Sequence, residues 1–112
     1  MNQGRLTTLA SYLRTVPVLK FDLGIWKCGA VACAIGHAAG IPEFKKAGFR
    51  IRKSSAGTAP EFEGLYAWGA VGEFFDLDEY ECYELFAASE YDPGATPRVV
   101  ADRIEEFVRD AE

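Results

Sequence analysis

Lys27–Gly40, KCGAVACAIGHAAG, is the stretch on which the architecture turns. Nearly every residue in it is small or apolar, and the pattern predicts a helix over 29–39. Gly40 supplies the left-handed residue that ends such a helix, and Pro42 prevents its continuation. A helix that is small and apolar on all sides is buried on most of them. Ala30, Ala32, Ala34, Gly36 and Ala38 would let neighbouring helices approach to roughly 8 Å. Gly36 costs about 1 kcal/mol relative to Ala inside a helix, so a close contact is expected there. Gly36→Leu should then overpack the site by roughly 1–3 kcal/mol.

The flanks read as elements that wrap this helix. Arg5–Val16 places Leu6, Leu9, Leu13 and Val16 on one side at helical spacing, and Pro17 ends the run. Val18–Trp26 reads as an irregular, buried loop. Glu43–Ala47 makes one further turn, stopped by Gly48. Phe49–Lys53, FRIRK, alternates apolar and basic residues as a strand does, Ser54–Pro60 reads as a loop, and Phe62–Tyr66 returns as a second short strand. Tyr66–Phe75 is helical. Asp78 caps a helix over Glu79–Ala88 in which Tyr80 and Tyr83 pack inward. Asp92–Pro93–Gly94 is a turn. Thr96 caps a last helix with Pro97 at its first position. The expected fold is mainly α (α+β with one minor β-hairpin), a single domain over 1–112 of about five helices around the central small-residue helix.

The chain has 112 residues, near the usual size of one domain, and eight Phe, five Tyr and two Trp supply bulky core material. No basic start followed by a long apolar run is present, so no secretion signal is expected. The apolar run from Cys28 to Gly40 would be roughly 20 Å long as a helix, too short for a bilayer core of ~30 Å, and no membrane association is expected. Three cysteines at irregular spacing make no disulfide framework, which points to a reducing, cytoplasmic setting.

The net charge of −5 hides a division. Residues 1–53 carry nine Lys/Arg against two carboxylates and residues 54–112 three against fifteen, that is +7 and −12. The basic half would suit an acidic partner, but local pairing between the two halves is the preferred reading.

The order helix, Val16-Pro17, Phe21-Asp22-Leu23, Trp26, Cys28-Gly29-x-x-Ala32-Cys33-Ala34-x-Gly36-His37-Ala38, Pro42-x-Phe44, Gly48-Phe49 resembles a family of small uncharacterised bacterial and phage proteins with a CGTxxCxxGxA-like segment. Phe75-Asp76-Leu77, Leu85-Phe86 and Thr96-Pro97 continue the likeness over nearly the whole chain. Ala30 stands where that family usually has Thr. The resemblance implies a fold and a bacterial origin, and no activity.

Cys28 is the first candidate for chemistry, because a thiol at a helix N-terminus and beside Lys27 is biased toward the thiolate. A cysteine nucleophile needs a base within hydrogen-bond reach. His37 is the lone histidine. On a helix through 29–39 it would lie roughly 13 Å from Cys28 along the axis and about 180° around it, out of reach. Cys33 and His37, four apart, have metal-ligand spacing, but neither Cys82 nor a second paired motif completes a set, so no metal and no cofactor is expected. Lys45, Lys46, Arg50, Arg52 and Lys53 form the densest basic cluster and are the candidate partner-binding residues. With Phe44 and Phe49 interleaved the cluster could meet nucleic acid, but the pI near 4.9 opposes attraction to polyanions. The acidic run Asp76–Asp92 reads as a solvated face, and there is neither a phosphate-binding glycine loop nor a GxSxG elbow. The expected function is a non-enzymatic accessory or protein-interaction module. A cysteine-dependent enzyme acting through Cys28 is the alternative, a nucleic-acid protein using Lys45–Lys53 comes third, and the oligomeric state is left open.

Overall fold

A β-hairpin and a five-residue helix stand where a continuous helix over 29–39 is expected. The computed structural model describes residues 1–91 and 94–111, so Asp92 and Pro93 of the expected turn lie outside the described residues. Strand β1 (Lys27–Cys28) pairs antiparallel with β2 (Val31–Ala32), and Gly29 turns the chain between them at φ +62°. Only Ala34–Ala38 is helical (α2). A longer helix fails because the preceding loop binds the groups it would use. The N–H of Cys33 donates to the carbonyl of Ile25 at 2.7 Å, and the carbonyl of Ala32 accepts from Asp22 at 3.1 Å. Cys33 is itself the cap: its sulfur accepts from the N–H of Gly36 at 3.4 Å. Backbone pairing with the loop outweighs the helix propensity of the alanines, which is worth only tenths of a kcal/mol per residue.

The small residues still mark a close approach, though not between helices. A Cβ on Gly36 would sit 1.8 Å from the carbonyl oxygen of Trp26. The loop before it is less buried than its composition suggests. A 3-10 turn over Val18–Lys20 leaves Val18 and Leu19 63% and 91% exposed, while Phe21, Leu23, Ile25 and Trp26 are half-buried.

Six α-helices and two small sheets lie among the described residues, a mixed α+β fold that agrees broadly with the mainly α expectation, though with six helices for about five and without the continuous central one. Helix α1 (Gln3–Leu13) is capped by the Asn2 side chain and buries Leu6, Leu9 and Leu13. It packs most extensively on α6 (Pro97–Asp110), which Thr96 caps and Pro97 opens as the sequence predicts. After α3 (Pro42–Lys46), β3 (Arg50–Ser54), β4 (Gly57–Phe62) and β5 (Leu65–Tyr66) form an antiparallel sheet in that order. The stretch expected to be a loop, Ser54–Pro60, is thus mostly strand. Only Ser55 and Ala56 turn, and cross-strand pairs from Ser54↔Gly57 to Arg50↔Glu61 hold β4 in place despite Gly57 and Pro60.

Helix α4 (Trp68–Phe75) packs against β4 and β5, and α5 (Glu79–Phe86) packs on α4 and α6, with Asp78 and Glu81 forming a reciprocal capping box on α5. The inward face of α5 is Cys82, Leu85 and Phe86. Tyr80 and Tyr83, expected to pack, are 76% and 38% exposed. At the centre, the ring of Phe74 meets Phe49, Phe44, Phe62 and Phe75 at centroid distances of 4.4, 4.9, 5.0 and 5.0 Å. The Arg5 guanidinium lies 4.0 Å above the same ring and donates to the Phe74 carbonyl.

The two halves of the charge distribution do touch. Arg14 pairs with Asp102 and Glu105, and Arg50 and Arg52 both reach Glu61. No helix among the described residues is long and apolar enough to cross a membrane.

Candidate binding cleft

Segments between residues 27 and 58 line a cleft of about 950 Å³. The β1–β2 hairpin forms one wall and is pinned to the sheet by Thr58, whose hydroxyl donates to the carbonyl of Lys27 at 2.9 Å. The end of α2 at Ala39–Gly40 and the α3 turn carrying Lys45 form the opposite wall. Gly48, at φ +100°, swings the chain from that turn into Phe49 and β3, which make the floor.

Lys27, Lys45, Arg50 and Lys53 line this space together with Cys28, and no carboxylate or histidine among the described residues does. None of the three lysines has an ion-pair partner among the described residues, whereas the Arg50 Nε lies 3.4 Å from Glu61. Of the five basic residues that stand out in the sequence, Lys45, Arg50 and Lys53 therefore meet at one place. Lys46 is exposed outside the cleft, and Arg52 is 2.7 Å from Glu61. Burial works to raise the pKa of Glu61. Hydrogen bonds from Tyr66 and Arg52, with the charges of Arg52 and Arg50, outweigh it and hold the carboxyl below its ordinary value. Lys27 and Thr58 are legible in the sequence only as a neighbour of Cys28 and a loop residue, because chain folding alone brings them to Lys53.

Cys28 lies on an exposed strand, not at a helix N-terminus, and the thiol that does cap a helix is Cys33. The dipole argument for Cys28 therefore falls, and so does the separation along a rod that put His37 out of its reach. The imidazole is engaged elsewhere. Its Nε2 donates to the Lys20 carbonyl at 2.7 Å, which fixes the proton on that nitrogen, and its ring stacks on Phe21 at 6.2 Å. Cys33 is committed to Gly36 and to the Trp26 carbonyl, 3.8 Å from its sulfur. No group of three or more His, Cys, Asp or Glu side chains among the described residues is arranged to hold a metal ion.

The three thiols differ sharply in surroundings. Burial pushes Cys33 up to about 11, and pushes Cys82 up to about 11 with help from Asp78, Glu81 and Glu79. With a neutral-pH alkylating reagent, Cys28 alone should react quickly, and the other two only after denaturation. Mass spectrometry of the labelled peptides checks this. Burial likewise raises Tyr91, against the opposing charge of Arg103, to about 12. The folded state holds these three protons more tightly than the unfolded chain. Their contribution is complete below the unfolded thiol value and is lost as pH rises through the folded ones. The urea midpoint should therefore be level from about pH 7 to 8.5 and fall steadily toward pH 11, a tenfold tighter hold on one proton being worth ~1.4 kcal/mol.

A scan of protein-family models, a search of curated proteins and a search of solved structures each return no match to this chain.

Proposed function

We propose that the protein is a non-enzymatic interaction module that takes an acidic segment of another protein into the cleft between the β1–β2 hairpin, α3 and β3. The observation that carries this reading is the lining itself: Lys27, Lys45 and Lys53 converge beside Arg50, and none of the three lysines has an ion-pair partner among the described residues, in a chain whose net charge is −5. Cations left without partners in a concave site attract a complementary anion and orient its approach. Ile51, only half-buried, gives the floor an apolar component that an inorganic anion would not use. Three free thiols suit a reducing cytoplasm.

One observation favours thiol chemistry instead: Cys28 shares the cleft with these cations. Against it, no histidine or carboxylate among the described residues lines the cleft to take the thiol proton or to protonate a leaving group. The nucleic-acid reading is weakened by the aromatic rings. Phe44 and Phe49 are 3% and 0% exposed and engaged with Phe74, so neither can stack on a base.

Fluorescence anisotropy with a labelled twelve-residue Glu/Asp-rich peptide and a single-stranded DNA twelve-mer tests the reading. Binding of the peptide at low salt should weaken as salt rises, and Lys45→Glu with Lys53→Glu should lower affinity about tenfold or more at unchanged circular dichroism. Equal or tighter binding of the DNA, or no peptide binding at all, would overturn it.

A further inference from the structure

Resting on that reading, we infer that the acidic segment binds as an added strand, pairing its backbone with the outer edge of β3. Strand β3 is the outermost of its sheet, with β4 on one side and no strand on the other among the described residues. The two-residue turn at Ser55–Ala56 makes Ser54 and Gly57 exchange hydrogen bonds. By alternation Arg52 with Ala59 and Arg50 with Glu61 do the same. The N–H and C=O groups of the intervening residues, Ile51 and Lys53, face away from β4 and have no partner among the described residues. The pairing of β4 with β5 agrees with this phase, since the Pro60 carbonyl points the other way and accepts from Ala67 at 2.9 Å.

The open edge offers two donors and two acceptors about 7 Å apart, the repeat of a strand. Only another polypeptide backbone matches both kinds of group. The phosphodiesters of a nucleic acid accept hydrogen bonds but donate none, and would leave the two carbonyls without partners. The charges then select among polypeptides. Arg50 and Arg52 are drawn to Glu61 on one face of β3, while Lys53 lines the cleft with Lys45 and Lys27. An added strand presents alternate side chains to each face, so a segment with a carboxylate at every second position would place it opposite the lysines. A second copy of this chain is a poor occupant of the edge, because β3 against β3 sets Arg and Lys against Arg and Lys.

The test uses the full chain and two labelled hexapeptides of alternating Glu and Val, one carrying methyl groups on its backbone nitrogens. Binding of the unmethylated peptide should exceed that of the methylated one by about tenfold or more, because methylation removes the donors that reach the β3 carbonyls. At saturation, hydrogen exchange at the amides of Ile51 and Lys53 should slow about tenfold, with little change at Arg50 and Arg52, which are already bonded to β4. Equal affinity of the two peptides, with unaltered exchange at Ile51 and Lys53, overturns strand addition while leaving the cleft as an acidic-peptide site. Absence of binding by either peptide overturns the cleft reading as well, and leaves the lysines of this edge as a guard against aggregation.

Discussion

Gly36→Ala is expected to destabilise the fold by about 3 kcal/mol or more, at the upper end of what overpacking usually costs. The added methyl group would lie 1.8 Å from the Trp26 carbonyl oxygen and 2.6 Å from the Ala32 Cβ. Neither neighbour is the free end of a flexible side chain. The Trp26 carbonyl sits in a loop tied to Cys33 through Ile25 and through the Cys33 thiol, so relief requires moving the loop, the hairpin or α2 bodily. The helix-propensity gain of Ala over Gly, about 1 kcal/mol, is too small to compensate. Gly69→Ala is the control. Its new Cβ meets only Leu65 Cβ at 3.8 Å, within α4, and the substitution should be neutral or slightly stabilising. Urea denaturation of the two variants side by side separates a close backbone approach from a general effect of helical glycine. Matching midpoints would show that the loop yields easily.

Phe74→Ala should cost about 3–5 kcal/mol, a large share of the 5–15 kcal/mol that holds an ordinary domain together. This ring is fully buried and joins α3, β4 and α4, touching Phe44, Phe62 and Phe75 as well as Phe49. Its loss leaves a cavity that several rigid rings must fill at once, and removes the face on which the Arg5 guanidinium rests. Phe49 also lines the cleft floor, so a collapsed core should loosen β3 and weaken peptide binding along with stability. A drop of less than ~1 kcal/mol in chemical denaturation would mean that the aromatic cluster re-packs freely.

The ends of the chain are legible in the sequence and its middle is not. Thr96-Pro97 and the spacing of Val100, Ile104 and Val108 mark α6 from local rules, as Asp78 marks the start of α5. Those signals are short-range and need no knowledge of the fold. The hairpin at 27–32 carries only Gly29 and β-branched Val31 as local signs, and it exists because residues 22–25 claim the backbone of Ala32 and Cys33. Gly36 stands out in the sequence as a close contact, but the partner is a loop carbonyl, which no spacing rule identifies. The alternation in FRIRK shows a strand and its basic face. It does not show that Ser54–Pro60 extends the sheet, since Gly57 and Pro60 are held there by their cross-strand partners. Likewise Lys45, Arg50 and Lys53 stand out as charges. Their meeting with Lys27 and Cys28 depends on the Thr58–Lys27 hydrogen bond between residues 31 apart.

Amide resonance mapping during titration with the Glu/Asp-rich peptide tests the central claim most directly. The largest shifts should cluster at Lys27, Cys28, Lys45, Ile51, Lys53 and Thr58, and vanish in the Lys45→Glu, Lys53→Glu variant. Shifts centred instead on the exposed tyrosines Tyr80 and Tyr83, or on no common surface, would contradict the assignment of the cleft as the binding site.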